Sequence, residues 1–419
     1  MRKVLLKVIN PVVCGLDVHK DSVKACLLKA KDAETYTDTL RTFTTMTSDL
    51  ENLKQWLLDS NCRKVVMEST GKHWIPIHNV LEGAFEITLA NARYVKNLPG
   101  RKTDANDARW LAKLLALGLV EGSFVPPREI RELRDLTRRR QKLISMRSSE
   151  RNRLLDVLRT SNIMLSSVAS DVFGVSGTAM LEALTAEDEQ ETLDNDAIAN
   201  LAKRRLRQKI PQLIEALNGH LDKHQKDLIH EIQKHLAFLD TQLERLEAMI
   251  DEMCEPYQEL IDLMITHPGV NKTAAQAILA EIGTDMEVFH SAEQLASWCG
   301  LTPANNESAG IKKTTRVRAG NNHAKTILCQ CAHAAANTKK TYISSRYWSL
   351  KARRGAQKAT IATARKITTA FFYMIRDRVP YQEAGPDFYR EARDRNKAQS
   401  MIKKLNKLGY HVTEQEKTA

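Results

Sequence analysis

The sequence VVCGLDV at residues 12–18 places one acid, Asp17, inside an otherwise apolar run. Its valine, leucine and cysteine residues are typical of a buried β-strand. An isolated carboxylate in such a strand costs free energy unless it is paired or bound to a metal. Asp17 is therefore the first candidate for a functional residue, and its strand is the starting point for predicting the fold.

Strand and helix signals alternate from this strand up to residue 125. Further strands are predicted over residues 22–28, 36–44, 64–68 and 85–90. Helices are predicted behind a capping-box pattern at Ser48 and Glu51, over 74–81, and from a cap at Thr103 to Gly118. Three strands followed by alternating helices and strands is the order of the ribonuclease H-like fold, so the first region is predicted to be α/β.

The remaining chain is predicted to be helical. Glycine and proline are rare in it, and residues 228–253 carry an apolar seam with steps of three and four, typical of a coiled-coil or bundle helix. A plain amphipathic helix packed within the monomer is the alternative. The seam consists of Leu228, Ile232, Leu236, Leu239, Leu243, Leu246, Ile250 and Met253.

The length of 419 residues is enough for two or three domains. The sequence predicts an α/β domain at 1–125, a helical linker or coiled coil at 126–260, a helical domain at 261–380 and a basic tail at 381–419. Residues 165–200 are acidic and irregular, which indicates an insertion or connector. A helix over 387–405 is predicted in the tail, with little to anchor it.

The net charge of +12 is concentrated in one segment. Residues 308–376 contain no Asp or Glu but 15 Lys or Arg, and residues 128–159 hold 11 basic and five acidic residues. Short basic runs are usually solvated faces, but an acid-free stretch of this length favours binding to a polyanion. The candidate nucleic-acid-binding residues are Lys312, Lys313, Arg316, Arg318, Arg138, Arg139 and Arg140.

Several classes of protein are disfavoured. No apolar run approaches the ~20 residues of a membrane span, and Lys7 interrupts the only N-terminal apolar stretch, so a secretion signal is not expected. The seven cysteines are scattered, which indicates a reducing compartment. Cys329, Cys331 and His333 lack a second ligand pair at metal-site spacing, so they are interpreted as part of a helical core.

Four carboxylates are predicted to converge in the first domain. Asp17 lies in the first strand and Glu68 ends the fourth, while Asp104 and Asp107 share one face of the last helix. In a ribonuclease H-like sheet the two strands are neighbours and that helix crosses their ends. Such a cluster suits two Mg²⁺ ions in phosphoryl transfer. Taken singly, Asp104 and Asp107 could instead favour the helix dipole, and Glu68 could be an ordinary strand-end acid.

Two further motifs lie in the C-terminal half. His267-Pro268-Gly269 between helical segments is typical of a helix–hairpin–helix, whose amides hold a DNA phosphate without reading sequence; a structural corner is the alternative. Ser308 stands in a loop before the basic stretch. A loop serine can be a nucleophile if it is activated, although most are solvent-facing or cap helices.

These motifs stand together in a characteristic order. They are GLDVHK at 15–20, MESTG at 67–71, KTDANDA at 102–108, HPG at 267–269, GLTP at 300–303, ESAG at 307–310 and AGN at 319–321. The set resembles the DEDD transposases of insertion-sequence family 110, which include Piv-type DNA invertases. The resemblance covers residues 10–125 and 260–375. Many members have Ser-Gly where this chain has Ser308-Ala309-Gly310.

The resemblance implies a RuvC-like N-terminal domain and a C-terminal transposase domain with a helix–hairpin–helix. It implies that Asp17, Glu68, Asp104 and Asp107 bind Mg²⁺, and that Ser308 attaches covalently to DNA. It also implies a bridge RNA that pairs with donor and target DNA. The resemblance implies dimers or tetramers, in which the carboxylates of one protomer complete a site with the serine of another. It also implies that the protein acts in the bacterial cytoplasm, on the nucleoid.

Three alternatives remain open from the residues. A RuvC-type junction-resolving nuclease would use the carboxylates with water and no serine. An actin-like sugar kinase or ATPase would share Gly15-x-Asp17, but it needs further glycine-rich phosphate loops that the sequence lacks. A non-catalytic RNA-binding protein would use the basic segments alone.

Overall fold

The fold is described by a computed structural model over residues 7–32, 35–68, 71–90, 104–186, 194–304, 307–308, 311–312 and 316–411. For residues 104–106, 307–308, 311–312, 390 and 392 only the backbone is described. The chain divides into two compact units, residues 1–125 and residues 126–419. The first is a mixed α/β unit, and the second is mostly helical.

A five-stranded sheet forms the first unit, with the strand order β3-β2-β1-β4-β5. Strands β1, β2 and β3 pair antiparallel, while β4 lies parallel to both β1 and β5. This arrangement is consistent with a ribonuclease H-like domain. The strands are β1 Val12–Val18, β2 Ser22–Ala30, β3 Tyr36–Thr44, β4 Lys64–Glu68 and β5 Glu86–Ala90. The predicted bounds of β1, β3 and β4 are confirmed, β2 runs two residues further, and β5 begins one residue later.

Strand β1 is buried between two layers of side chains. Cys14 and Leu16 belong to an apolar cluster with helices α1 (Thr47–Asp59) and α2 (Trp74–Leu81). Val13 faces the other way, into a cluster with helix α3 (Asp104–Ala116). Because successive side chains point to opposite faces of a strand, this alternation defines a face covered by α1 and α2 and a face covered by α3.

The capping box predicted at Ser48 and Glu51 is wrong. Helix α1 begins at Thr47 after Met46, and no side chain caps its N-terminus. Asp49 instead accepts a hydrogen bond from the backbone amide of Thr44 at 2.6 Å, which lowers the pKa of Asp49. The acid in the first turn of α1 therefore binds the backbone amide at the end of β3 and does not cap the helix. The predicted cap at Thr103 lies outside the described residues.

Two long helices dominate the first half of the second unit. Helix α4 covers Arg128–Thr160 and helix α9 covers Lys223–Cys254. The predicted seam on α9 is buried from Ile232 to Ile250 within the chain, where the two helices pack together. At its ends Ile229 and Cys254 are buried, in place of the predicted Leu228 and Met253.

Short helices pack against the ends of these two. They are α5 Leu165–Val168, α6 Val175–Thr185, α7 Asn195–Asn200 and α8 Ile210–Ala216, with a 3₁₀ turn at Arg204–Lys209. Together with Leu154 and Leu158 of α4 and Ile229 and Ile232 of α9 they enclose a common apolar core. The acidic connector predicted at 165–200 therefore includes helices with buried side chains, such as Met180 and Ile198.

The rest of the second unit is a helical assembly that includes a small hairpin. Its elements are the 3₁₀ turn Glu255–Tyr257, α10 Gln258–Ile265, α11 Lys272–Ile282, α12 Ala292–Trp298, β6 Glu307–Ser308, β7 Ile311–Lys312, α13 Asn322–Asn337, α14 Tyr342–Arg354, α15 Ala356–Asp377 and α16 Gly385–Lys407. The predicted tail helix is α16, and its first turns contact Tyr342 through Phe388 and Tyr389. A separation of 126–419 into three domains stays a prediction.

Among the described helices, none combines the length and apolarity needed to cross a bilayer.

Candidate catalytic site and nucleic-acid interface

Asp17 and Glu68 lie side by side in the sheet. Strands β1 and β4 are parallel, with Leu16 paired to Met67, so Asp17 and Glu68 are the next residues along each strand. Leu16 and Met67 both face the α1 and α2 layer. Asp17 and Glu68 therefore face the α3 layer, on neighbouring strands about 5 Å apart.

Helix α3 brings its first turn to the same place. The amides of Ile9 and Asn10, ahead of β1, donate to the carbonyl of Ala116 at the C-terminal end of α3. A Cβ on Gly15 would lie 2.1 Å from the Ala108 carbonyl oxygen, so α3 passes directly over Gly15. The helix thus runs antiparallel to β1. Its N-terminal turn, which contains Asp104 and Asp107, lies toward the end of β1 that carries Asp17.

Polar contacts are made by Asp17 of β1 and by Arg109 of helix α3. His19 Nε2 lies 3.0 Å from Asp17 Oδ2, and the side chain of Asp17 is 15% exposed. On α3, Arg109 forms an ion pair with Asp38 of β3, in which Nε and Nη2 lie 2.8 and 2.7 Å from Oδ2. Sequence reasoning missed this ion pair, which links α3 to the sheet two residues after Asp107.

The donor set has the chemistry of a hard-cation site. Asp17, Glu68 and Asp107 are all partly exposed, and carboxylate oxygens are the ligands that Mg²⁺ prefers. Among the described side chains, which do not include Asp104, no group of three or more His, Cys, Asp or Glu is close enough to hold a metal. The predicted residues therefore suit a divalent ion by residue type and by sheet face, but the described side chains are not close enough together to hold one. Coordination by all four stays a prediction.

Ser308 lies in the second unit, in a hairpin. Strands β6 and β7 pair antiparallel, with Ser308 opposite Ile311, so two residues of sequence separate the pair. Further along, Ala304 donates to the carbonyl of Arg316 at 2.9 Å, and Arg318 donates to that of Thr302 at 3.0 Å. These bonds close the base of the loop that carries Ser308.

The base of this hairpin is fixed to the helical body by close backbone contacts. A Cβ on Gly320 would lie 2.4 Å from the Gly300 amide nitrogen, and Gly300 itself has a φ of +70°. Asn321 then donates from its backbone to Trp298, and its side chain accepts from two amides at the start of α13. A side chain at Gly320 would clash with this backbone, and a side chain at Gly300 would be strained by the positive φ.

A buried carboxylate, Glu281, lies beneath Asn321 and was missed by sequence reasoning. Asn321 Nδ2 donates to Glu281 Oε2 at 2.6 Å. Arg138 of α4 makes a two-pronged ion pair with the same carboxylate at 2.7 and 2.8 Å, and Arg134 approaches it at 3.4 Å. An acid inside the apolar sequence of α11 was the available signal, by the argument already applied to Asp17.

The predicted basic residues occupy different environments. Arg316, Arg318 and Arg139 are exposed, Lys312 lies in β7 without a described side chain, and Lys313 lies outside the described residues. Arg138 is bound to Glu281, as described above. Arg140 is only 6% exposed, and its Nε has no hydrogen-bond partner. Arg316, Arg318 and Arg139 are therefore the candidates presented to solvent.

The His267-Pro268-Gly269 turn joins α10 and α11 and packs against α13. A Cβ on Gly269, whose φ is +83°, would lie 2.3 Å from the Ala335 amide nitrogen. His267 is buried against Tyr381, with ring centroids 4.3 Å apart, and burial lowers its pKa to about 4. These contacts give the turn a structural role. Whether it also binds DNA as a helix–hairpin–helix stays a prediction.

Cys331 lies on the buried side of α13, and burial raises the pKa of its thiol to about 12. His333, two residues on, is exposed and its ring lies near Tyr347. The helical-core interpretation is therefore confirmed for Cys331 and wrong for His333, while Cys329 is partly buried.

Comparisons with known proteins match both units. A family model described as "Transposase", from the DEDD transposases of the IS110 type, matches residues 14–163. A second, described as "Transposase IS116/IS110/IS902 family", matches residues 261–349. The chain is also 28% identical over 160 residues to an uncharacterized 42 kDa protein of insertion element IS900 from Mycobacterium paratuberculosis. That match spans 38% of this chain and 39% of the relative.

Proposed function

Because this chain belongs to the IS110 family of transposases, we propose that it cuts and rejoins DNA as the transposase of an insertion sequence. The observation that carries the proposal is the placement of Asp17 and Glu68 on one face of neighbouring strands, with the first turn of α3 at the same end. Such an edge of carboxylates is suited to phosphoryl transfer.

Asp17, Glu68, Asp104 and Asp107 are the residues that would hold Mg²⁺, with two ions expected. Bound there, the metal would neutralise the charge of a scissile phosphate and orient it. His19 contacts one Asp17 oxygen and would orient that carboxylate. The Arg109–Asp38 ion pair would keep the α3 turn in register with the strand ends.

Ser308 is proposed as the nucleophile. Its Oγ would attack the scissile phosphorus, forming an ester bond as the bond to one strand end breaks. That end leaves as a hydroxyl, and the serine proton passes to a base or to solvent. The reverse attack by a hydroxyl of another strand would rejoin the DNA and release Ser308. Because the ester keeps the energy of the broken bond, the exchange requires no ATP.

The basic segments are proposed to hold nucleic acid around this chemistry. The acid-free stretch begins at Ser308, and Arg316 and Arg318 are exposed beside the loop that carries it. By family analogy the ligands would be donor and target DNA and a guiding bridge RNA, bound by a dimer or tetramer. The protein would then act in the bacterial cytoplasm, on the nucleoid.

A two-plasmid recombination assay, with the element's own flanking DNA supplied, tests the assignment. Ser308→Ala is expected to abolish recombination, while Ser166→Ala, on the exposed surface of α5, keeps wild-type activity. Full recombination by Ser308→Ala would rule out the serine mechanism.

Trapping a covalent protein–DNA adduct separates the proposal from its alternative. A transposase that uses Ser308 yields an adduct that Ser308→Ala lacks. A RuvC-type junction-resolving nuclease would cleave without any adduct. Sequencing RNA that copurifies with the full chain tests the guide, and a chain that recombines DNA without bound RNA would overturn that part.

A further inference from the structure

The second unit contains a cavity of about 520 Å³ between α4, α11 and α13. Its polar lining includes Arg140 and Gln141 from α4, Asn271 and Thr273 at the start of α11, and His323 from α13. Apolar side chains, among them Ile144, Val270 and Ile327, form much of the remaining wall. This volume lies in the range of small-molecule sites, which is about 300–1,000 Å³.

Arg140 is the unusual member of this lining. The residue is 6% exposed, and its buried Nε has no hydrogen-bond partner among the described residues. Buried arginines are ordinarily paired, because leaving a donor unsatisfied costs free energy. Burial lowers the pKa of Arg140, but a guanidinium stays protonated in proteins. The cavity therefore contains a positive charge with an unused donor at Nε.

The neighbouring acids do not accept a hydrogen bond from Arg140. Glu247 and Asp251 act on it electrostatically, without a hydrogen bond to it. Asp251 already accepts from Gln276 at 2.7 Å and pairs with Lys272 at 2.9 Å. Glu281, also in the lining, is bound to Arg138 and Asn321. A ligand of the opposite charge could thus reach Arg140 without displacing these contacts.

The N-terminus of α11 adds to this positive environment. The helix has 11 residues, and its first turn lines the cavity through Thr273 and Ala274. Helix N-termini favour anions, because their amides and dipole present positive charge. Asn271 caps the Ala274 amide, so the remaining attraction comes from the dipole and from the other early amides.

We propose that this cavity binds the phosphate group of a nucleotide, with Arg140 donating to the phosphate oxygens and the apolar wall contacting the sugar and base. The cavity exceeds the size of a phosphate alone, and its apolar wall suits the attached nucleoside. The nucleotide would be either free or the end of a bound strand. The choice of a nucleotide rests on the proposed function, whereas the binding itself is measurable without any DNA chemistry.

Isothermal titration of the full chain without Mg²⁺ tests the proposal, using thymidine 5′-monophosphate against thymidine. Binding of the monophosphate but not of the nucleoside is expected. A 5′-phosphorylated thymidine tetranucleotide is compared with its 5′-hydroxyl form. Tighter binding of the phosphorylated tetranucleotide than of the monophosphate identifies a strand end as the ligand, whereas equal or weaker binding identifies a free nucleotide.

Two variants test the site by different changes, one to its charge and one to its volume. Arg140→Met removes the guanidinium and Ala274→Leu fills the cavity while keeping the charge; each is expected to weaken monophosphate binding about 10- to 100-fold, the range of a charged hydrogen bond. Arg245→Met, on the exposed side of α9, is the charge-matched control and should bind like the wild type.

Equal affinity for monophosphate and thymidine, or wild-type affinity in Ala274→Leu, would overturn the proposal. If Arg140→Met does not fold, Ala274→Leu and the wild-type comparison decide the matter. Loss of recombination in Ser308→Ala with nucleotide binding intact, or the reverse, keeps this proposal separate from the proposed function.

Discussion

Asp17 and Glu281 are both acids inside apolar segments, but their surroundings differ. Glu281 is 1% exposed, and the chain supplies its partners, Arg134, Arg138 and Asn321. Asp17 keeps 15% of its side chain exposed at a strand end, near Glu68 and the start of α3. The cost of burying a carboxylate marks both positions. Glu281 is interpreted as a structural acid because its partners belong to the chain itself, whereas Asp17 is a candidate catalytic acid because it remains open to an external ligand.

Asp17→Asn should have the largest effect. If Asp17 holds a catalytic metal, recombination falls about 10³-fold or more, since metal stabilisation of a transition state is worth several kcal/mol. The melting temperature should change little, because the amide fits the same space. The two-plasmid assay and a thermal melt measure the two effects, with Asp21→Asn in the exposed turn as the control. Wild-type recombination in Asp17→Asn would remove the contrast with Glu281.

Glu281→Gln should show the opposite pattern, with lost stability. Removing its charge leaves Arg134 and Arg138 without their buried counterion, which costs about 3 kcal/mol in the free energy of unfolding. Urea unfolding of the full chain measures this loss. Asp240→Asn, which breaks a more exposed pair with Arg147, should cost less than about 1 kcal/mol. Equal losses in the two variants would show that Glu281 is not a structural anchor.

His267 extends the comparison to a buried base. In the folded chain its pKa is about 4, against 6.5 without burial, so the unfolded chain binds the proton first. Stability is therefore lost as the pH falls from about 6.5 toward 4, by about 2 kcal/mol at pH 5. His267→Phe should reduce this loss, as measured by urea unfolding at pH 7 and pH 5. An unchanged pH dependence would show that His267 titrates normally in the fold.

His19→Asn should have the smallest effect. Its exposed hydrogen bond to Asp17 is worth about 1 kcal/mol, so recombination should fall less than about 10-fold. A loss as large as that of Asp17→Asn would mean that His19 takes part in the chemistry and does not only orient the carboxylate.

The sheet and its acids were predictable because their signals are local. Strands β1, β3 and β4 are apolar or alternating runs between turns, and their order places Asp17 next to Glu68. The cap at Ser48 was predicted wrongly. The side chain of Asp49 accepts a hydrogen bond from the backbone amide of Thr44 at the end of β3, and sequence spacing does not show this contact.

Long-range partners explain most of what was missed. The apolar sequence of α11 marks Glu281 as unusual, but its partners Arg134 and Arg138 lie more than 140 positions away, so the sequence does not identify them. Arg140 was predicted as a nucleic-acid-binding residue from its basic segment, but its place in a cavity depends on the packing of three helices, which the sequence does not show. Strands β6 and β7 have two residues each, too short for any periodic pattern.

The two-glycine contact at Gly300 and Gly320 makes the hairpin a modular unit. The bonds between 302–304 and 316–318 close its base, and the glycine contact joins that base to the helices below. In engineering terms, this base is the attachment point of the loop that carries Ser308. Engineering this protein toward a new substrate would begin by grafting that segment and leaving both glycines in place.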